Sequence, residues 1–408
     1  IFGFFMVLII NCIGCGSKNI KTLGSLGKLP NCNQFETTQS AAIHLQKYEL
    51  DLVKCEACDL VQVGTHLPIT EVFNDNYPYF SSYSKSWLEH CRLATLQYKE
   101  IFNIGINSSV LEIGSNDGYF LKYFKDSKIV LGVEPTKGPA EAAIRNGVKT
   151  IIDFFNDAVA AEIVKQEGQF DLILSCNMLA HTPDLRSVLS GVRRSLKAKG
   201  NFVVEVQYAS DMFLSSKFDT VYHEHFCYYT LNSAINVFQN NGLYIYDAEL
   251  LQTHGGSLRI YASKNNIPST ERMKLLLEQE KEKYSNSNVY KEFFMTAEKL
   301  KKDFLHYIKE NGPLVGYGAP TKGNVFLNYC GVSHRDIEFT CDMSPLKQNR
   351  YCPGSGVPIY SVNEKFYKKY ETILILPWNI KNEIIKQFEN KGLHNKKFIT
   401  AIPRFEIL

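Results

Sequence analysis

Short apolar runs that end in glycine-rich or polar turns, each followed by a stretch of helical period, recur along most of the chain. Ser109, Val110, Leu111, Glu112 and Ile113 run into Gly114-Ser115-Asn116-Asp117-Gly118, and a helix is predicted over residues 119–124. Further strands are predicted at 129–133, 150–152, 170–175 and 201–206, with a helix over 185–198. Strand alternating with helix predicts a parallel sheet. Residues 242–247 and 253–261 then supply closing strands around a Gly-Gly turn. A second series begins at 314–317, turns through Gly318 to Asn324, and continues with strands at 337–341 and 372–376 and a helix over 380–390, which predicts a small doubly wound domain. Between the two lies a charged helical linker, 268–310, with a break at 285–288. Upstream, Trp87, Leu93, Leu96 and Ile101 mark a helix over 83–103.

Composition bounds this picture. With 408 residues and 45% apolar content, the chain can bury the cores of two or three domains. Its 45 basic and 42 acidic residues leave a net charge of +3 and form no long block, so nothing favours a nucleic-acid or membrane partner. The apolar start, residues 1–10, is half the roughly 20 residues a spanning helix needs and lacks a basic flank. Met6 is a candidate start of the natural chain, and a cytoplasmic monomer is expected.

Among eleven cysteines, Cys12, Cys15, Cys55 and Cys58 stand out as two C-x-x-C pairs. Each pair sets two thiolates on one tight turn, and two such turns complete a tetrahedral zinc shell. The long gap between the pairs weakens the match without breaking it. No catalytic carboxylate or histidine flanks the four, so the zinc is read as structural. Cys91, Cys176, Cys227 and Cys330 sit singly in apolar or mixed runs, as buried inert thiols do.

Gly114 and Gly118 let a ligand approach the backbone closely. Glu134 lies 20 residues beyond Gly114 at the end of the next strand, where a Rossmann-type sheet places a carboxylate on ribose hydroxyls. The turn lacks the three glycines of a dinucleotide fingerprint. Asn116 and Asp117 instead suit the amino-acid end of S-adenosylmethionine. Asp153, Phe154 and Phe155 follow the third strand as an edge for adenine, and Asn177 and His181 follow the fourth, toward the reaction centre. In the second series Lys322 and the turn amides suit a pyrophosphate and Asp342 a ribose or base, with Lys347 and Arg350 just beyond. His254, Ser257 and Arg259 flank the Gly-Gly turn, which fits a phosphate site and a hairpin equally. Tyr77 and Tyr79 lie in a polar-aromatic turn and, on spacing alone, are core or rim residues.

The densest chemistry is in residues 218–226, where Asp219, Tyr222, His223, Glu224 and His225 crowd together between apolar runs. Imidazole beside carboxylate suits proton transfer near neutral pH; a polar loop gives the same composition.

The four cysteines, the stretch 112–118, residues 180–185, 218–226 and 253–261, and 316–324 with 328–331 occur in an order that resembles the nucleotide-sugar C-methyltransferases of deoxysugar biosynthesis. The resemblance spans nearly the whole chain. It implies a mixed α/β fold in three parts: a zinc-binding module (6–75), a central Rossmann-like S-adenosylmethionine methyltransferase domain (76–264), and a helical linker with a second Rossmann-like domain that helps bind a nucleotide sugar (265–408). It further implies methylation of the carbon next to a ketone, typically C3 of a dTDP-4-keto-6-deoxyhexose. His225 is then the base, and Glu224 its orienting partner or a sugar ligand. Tyr222 and His181 hold the developing oxyanion, and Tyr79 closes the pocket near the sugar. Glu112, Gly114, Asn116, Gly118, Glu134, Asp153, Phe154, Phe155 and Asn177 face the cofactor. Tyr77, His254, Ser257, Arg259, Tyr317, Lys322, Asn324, Asp342 and Lys347 face the substrate. The competing readings are an O- or N-methyltransferase on a sugar nucleotide, a nicotinamide-dependent reductase, and a zinc- and nucleotide-binding adaptor.

Overall fold

The structure is a computed structural model and describes residues 7–8, 11–73, 79–285, 288–363 and 367–408. Tyr77 lies outside the described residues. Near the N-terminus, β1 (Ile20–Pro30) pairs antiparallel with β2 (Lys47–Cys55), and β2 with β3 (Val61–Val63).

The central sheet is built from β4 (Ser109–Ile113), β5 (Ile129–Val133), β6 (Lys149–Ile151), β7 (Phe170–Cys176) and β8 (Leu196–Gln207), all parallel. After β9 (Cys227–Tyr228), the strands β10 (Tyr244–Leu251) and β11 (Ser257–Ser263) complete it, with β11 antiparallel to both β8 and β10. The order is β6-β5-β4-β7-β8-β11-β10. Apolar strands such as β7, buried almost throughout, are what a sheet covered on both faces requires. The order reverses between β4 and β7, and in such sheets the ligand crevice opens there, at the carboxyl ends of the strands.

β9 does not join that sheet. It pairs antiparallel with β3, Cys227 opposite Gln62, as the fourth strand of the N-terminal sheet. The segment 218–226 is therefore tied directly to the N-terminal module.

A third sheet holds β12 (Leu314–Tyr317), β13 (Ile337–Asp342), β14 (Arg350–Tyr351), β15 (Pro358–Ser361), β16 (Thr372–Ile375), β17 (Lys397–Thr400) and β18 (Glu406–Ile407), in the order β14-β15-β13-β12-β16-β17-β18. The inner five are parallel and the two edges antiparallel. Its switch point falls between β12 and β16. The linker is two helices, Glu271–Ser285 and Val289–Asn311. Glu280 of the first accepts hydrogen bonds from the Leu231 and Asn232 amides, both 2.8 Å, at the start of the helix Leu231–Asn240. One hydrophobic core runs from the N-terminal sheet (Leu50, Leu52) through the segment that follows β8 (Phe218, Tyr222, Phe226) to the third-sheet side (Val325, Phe326, Trp378). No helix among the described residues is long and apolar enough to cross a membrane.

Two expectations change here. The upstream helix is Lys85–Ile101, capped by Ser84, but it buries Trp87, Cys91, Ala94, Thr95 and Tyr98. Leu93, Leu96 and Ile101 are each more than half exposed. Trp87 and Tyr98 fill that face against the central sheet, with Cys91, Ala94 and Thr95 packed between them. Secondly, Arg259 is a packing residue and not a phosphate ligand. Its Nε is 2.9 Å from Glu205 Oε1, its Nη1 is 3.0 Å from Gln97 and 3.1 Å from Glu249, and its guanidinium lies over the Tyr98 ring. His90 Nε2 adds a further partner for Glu205 at 2.9 Å. Glu205 is buried, and only a complete set of partners makes burying its charge tolerable. Ser257 likewise turns inward, its hydroxyl donating to the Thr253 carbonyl at 3.0 Å. His254 has its backbone in the short turn Thr253–Gly255.

Candidate active site

The turn Phe218–Thr220 and the residues after it form a buried knot. Tyr222 Oη lies 2.6 Å from His225 Nε2, with the rings 4.0 Å apart. His225 Nδ1 is 3.1 Å from the Thr220 carbonyl. A carbonyl only accepts, so Nδ1 carries the imidazole proton and the Tyr222 hydroxyl donates to Nε2. Burial, then the neighbouring His181 and Lys322, hold the pKa of His225 well below the usual histidine range. Its imidazole is therefore neutral, with Nε2 the unprotonated nitrogen.

Glu224 does not orient His225. Its carboxyl faces Asn33 of the N-terminal module and Lys347 of the third sheet; burial pushes its pKa up to about 8 against the pull of both. Its Oε1 has no hydrogen-bond partner. His223 turns toward the N-terminal module, with Nε2 3.3 Å from the Glu49 carbonyl.

The loop after β7 links this knot to the glycine turn after β4. Asn177 adopts φ 54°, and its amide donates to the Glu205 carbonyl at 2.7 Å. Met178 lies against Gly114: a Cβ on that glycine, which has φ +75°, would stand 2.7 Å from the Met178 side chain. Three residues on, the His181 ring meets His225 at 4.6 Å and Phe73 at 5.6 Å. Burial lowers the pKa of His181 to about 4, and its Nδ1 is without a partner.

Residues 79–82 fold over the glycine turn. The Ser81 amide donates to Asn116 Oδ1 at 2.8 Å, the Ser82 amide to Asp117 Oδ2 at 3.3 Å, and Asn116 Nδ2 to the Tyr79 carbonyl at 3.3 Å. Tyr79 is 47% exposed, yet desolvation at its hydroxyl end raises its pKa. Glu134, expected on a ribose, accepts from the amides of Asn116 (2.9 Å) and Thr136 (2.8 Å) and from the Thr136 hydroxyl. Those bonds stabilise the turn itself. Asp153 caps the Phe154 amide at 2.7 Å, while Phe155 is part of the buried core and not an exposed adenine edge.

On the side of the third sheet, Lys322 lies over the Trp378 ring at 5.5 Å and within electrostatic reach of both Asp219 and His225. Asn324 donates to the Cys32 carbonyl at 2.9 Å, leaving Oδ1 without a partner. Asp342 is occupied by its own turn, accepting from the amides of Ala319 (2.7 Å) and Ser344 (2.8 Å). Lys347 donates to the Ala319 carbonyl at 2.9 Å, with its ammonium over the Phe35 ring. Tyr317 points to the opposite face of the sheet, its hydroxyl 3.1 Å from Gln387 among Tyr367 and Phe388. That follows from the period of two along a strand: Gly316 and Gly318 meet the crevice side, and Tyr317 does not.

Residues 12–73 match a family described as "Putative zinc binding domain", residues 89–248 one described as "Methyltransferase domain", and residues 252–403 one described as "C-methyltransferase C-terminal domain". The C-methyltransferase NovU of Streptomyces niveus is 31% identical over 409 aligned residues, covering 97% of this chain and 96% of that protein. The chain belongs to the C-methyltransferase family. Among solved structures, the magnesium protoporphyrin IX methyltransferase ChlM of Synechocystis PCC 6803 with bound SAM is 10% identical, with a TM-score of 0.34, covering 44% of this chain and 79% of that one. PH0226 of Pyrococcus horikoshii OT3 is 16% identical, with a TM-score of 0.36, covering 47% and 100%.

As an S-adenosylmethionine-dependent methyltransferase, this C-methyltransferase needs a cradle for an amino acid carrying a sulfonium, and the turn after β4 fits one. Glu112 is fully buried, neither of its oxygens has a hydrogen-bond partner of normal geometry, and burial pushes its pKa well above the usual carboxylate range against the pull of the Tyr119 hydroxyl. Ser115 Oγ and Asp117 Oδ1 are buried and unpartnered beside it. An ammonium group satisfies such a set. Gly114 and Gly118 take the left-handed conformation that a side chain resists, and Met178 and Val148 fill the space a Cβ would need.

The zinc-binding module fits its ion equally well. The sulfurs of Cys12, Cys15, Cys55 and Cys58 all lie within 4.8 Å of one another, with 3.5 Å from Cys12 to Cys58 and 3.6 Å from Cys15 to Cys55. A tetrahedral shell with Zn–S bonds of about 2.3 Å has edges of about 3.8 Å. Cys12, Cys55 and Cys58 pack into the core beneath the central sheet, remote from open solvent, as a structural ion requires.

Asp219, Lys217 and Trp378 reach the site without having been singled out for a role in the sequence. Asp219 gave a weak signal, being inside the dense segment; Trp378 gave none, because its partner is 159 positions away.

Proposed function

We propose that the chain methylates a carbon next to the ketone of a nucleotide-linked 4-keto-6-deoxy sugar, with C3 favoured. The Tyr222–His225 pair carries this reading: a carbon acid needs a base, and a buried neutral imidazole hydrogen-bonded to a phenol is one. An O- or N-methyltransferase acts on an acceptor that already holds a lone pair and needs no such dyad.

His225 and Tyr222 work as one base. The proton leaves the carbon either for Nε2 directly or for the phenolic oxygen as the phenol's own proton passes to Nε2. Both routes end with an imidazolium whose Nδ1–H is steadied by Thr220. The burial and the Lys322 charge that disfavour an imidazolium in the resting site are offset once an enolate forms beside it, since the two new charges attract. His181, beside the pair with Nδ1 unpartnered, is assigned to the developing enolate oxygen, and Tyr79 closes the pocket near the sugar. Glu224, kept mostly protonated near neutral pH, offers its free oxygen to a sugar hydroxyl. Bound S-adenosylmethionine supplies the electrophilic methyl. The nucleotide is assigned to the crevice of the third sheet, bounded by Lys322, Asn324, Asp342 and Lys347, and the functional division into residues 6–75, 76–264 and 265–408 is part of the same proposal.

Product analysis tests it. Incubation with S-adenosylmethionine and dTDP-4-keto-6-deoxyglucose is expected to yield a product whose NMR spectrum places the new methyl on carbon. A methyl on oxygen or nitrogen, or no turnover, overturns the reading.

A further inference from the structure

Two hydrogen bonds, joined through the backbone of one short turn, link the third sheet to the base pair. Trp378 follows β16 at the switch point of that sheet, and its indole Nε1–H donates to Asp219 Oδ2 at 2.6 Å. Asp219 sits in the single turn Phe218–Thr220, closed by the Val221 amide on the Phe218 carbonyl (3.0 Å) and the Thr220 amide on the Lys217 carbonyl (3.2 Å). The next residue in that turn, Thr220, presents the carbonyl that His225 Nδ1 faces. Only one tautomer of His225 matches that carbonyl, and it is the one that leaves Nε2 as acceptor for Tyr222.

Several contacts fix the indole. Lys322 and Lys217 lie over it at 5.5 and 5.8 Å. Lys217 also donates to the Gly255 carbonyl at 2.6 Å, and a Cβ on Gly255 would stand 2.9 Å from the indole. The turn itself is packed against the helix Thr321–Cys330, with Phe218 on Tyr329 at 4.9 Å. Both Asp219 and Trp378 are buried, so the bond between them is shielded from water, and Asp219 Oδ1 has no partner to replace it.

We infer that Trp378 is a positioning residue for the methyl-transfer reaction, acting through Asp219 and the Thr220 carbonyl to hold the His225 imidazole in its basic orientation. The closing of the C-terminal sheet on the central one thereby sets the base. This rests on His225 being the base, as proposed above.

The test uses the full-length, zinc-loaded protein and dTDP-4-keto-6-deoxyglucose. Trp378→Phe keeps an aromatic ring beneath the lysines and removes only the N–H donor. It is expected to lower kcat about 10–100-fold, in line with stranding a buried acceptor, with the KM of the acceptor and the S-adenosylmethionine affinity by calorimetry changed less than threefold. Trp378→His retains a ring donor and is expected to recover part of the loss. In a His225→Ala background, Trp378→Phe is expected to add nothing, because residues acting through one group are not additive. Full kcat in Trp378→Phe, or a loss that multiplies with His225→Ala, overturns the inference while leaving His225 as base. Should Trp378→Phe fail to fold, Asp219→Leu gives the second measurement: the same lack of further loss in the His225→Ala background supports the inference, and a multiplicative loss overturns it. Undiminished turnover by His225→Ala overturns the base assignment, and the inference with it.

Discussion

Replacing His225 with alanine is expected to lower turnover by about 10²–10⁴-fold, the range for loss of a general acid–base group, and to leave S-adenosylmethionine binding intact. The separation follows from placement. His225 contacts Tyr222, Thr220 and His181, whereas the unpartnered oxygens suited to the cofactor belong to Glu112, Ser115 and Asp117 on the turn after β4. Steady-state kinetics with a keto sugar nucleotide, together with calorimetry using S-adenosylmethionine, checks both halves. Because Nε2 is held neutral by burial and by Lys322, acidification should not switch the wild-type base off in the usual histidine range; its protonation falls well below that range. Tyr222→Phe removes the donor to Nε2 and is expected to fall within the same span. A His225→Ala protein that turns over normally removes the imidazole from the chemistry.

The second large effect concerns folding. Cys55→Ser is expected to leave an unfolded or aggregated protein, with lost near-ultraviolet circular dichroism and no bound zinc. Structural zinc contributes about 10–16 kcal/mol in small modules, which matches or exceeds the whole stability of a typical domain, about 5–15 kcal/mol. The damage should not stay local. Strand β9 begins directly after Phe226 and completes the N-terminal sheet, so a module that comes apart releases the far end of the segment carrying Tyr222 and His225. Removing zinc from the folded wild type with a strong chelator is expected to abolish activity in parallel with loss of structure. A Cys55→Ser protein that remains folded and loses only rate contradicts a structural role for the ion.

Much of the architecture was legible because it is written in local periodicity. Both parallel sheets follow from apolar runs that end in glycine turns, and the cysteine pairs are close enough in sequence to declare themselves. What was not legible depends on partners distant in sequence. Arg259 beside a Gly-Gly turn looks like a phosphate ligand until Glu205, 54 positions earlier, is found opposite it. Glu134 sits where a ribose acid belongs, and the Asn116 and Thr136 amides reach its oxygens. The helix Lys85–Ile101 shows the reverse error: Leu93, Leu96 and Ile101 draw attention, while the buried face is Trp87 and Tyr98 with Cys91, Ala94 and Thr95 between them. Glu224 adjoins His225 in sequence, but adjacent residues diverge, and its carboxyl reaches Asn33 and Lys347. The segment 218–226 was conspicuous because polar groups so concentrated between apolar runs need partners, and the structure brings His181, Lys322 and Trp378 to it from three other stretches of chain.

Solvent exchange reads the proton abstraction apart from the methyl transfer. With S-adenosylhomocysteine in place of the donor, dTDP-4-keto-6-deoxyglucose incubated in heavy water with the wild-type protein is expected to take up deuterium at C3, followed by NMR, and to do so at least a hundredfold more slowly with His225→Ala. Equal exchange by the two proteins, or no exchange by a wild type that still methylates the sugar, contradicts enolate formation by His225.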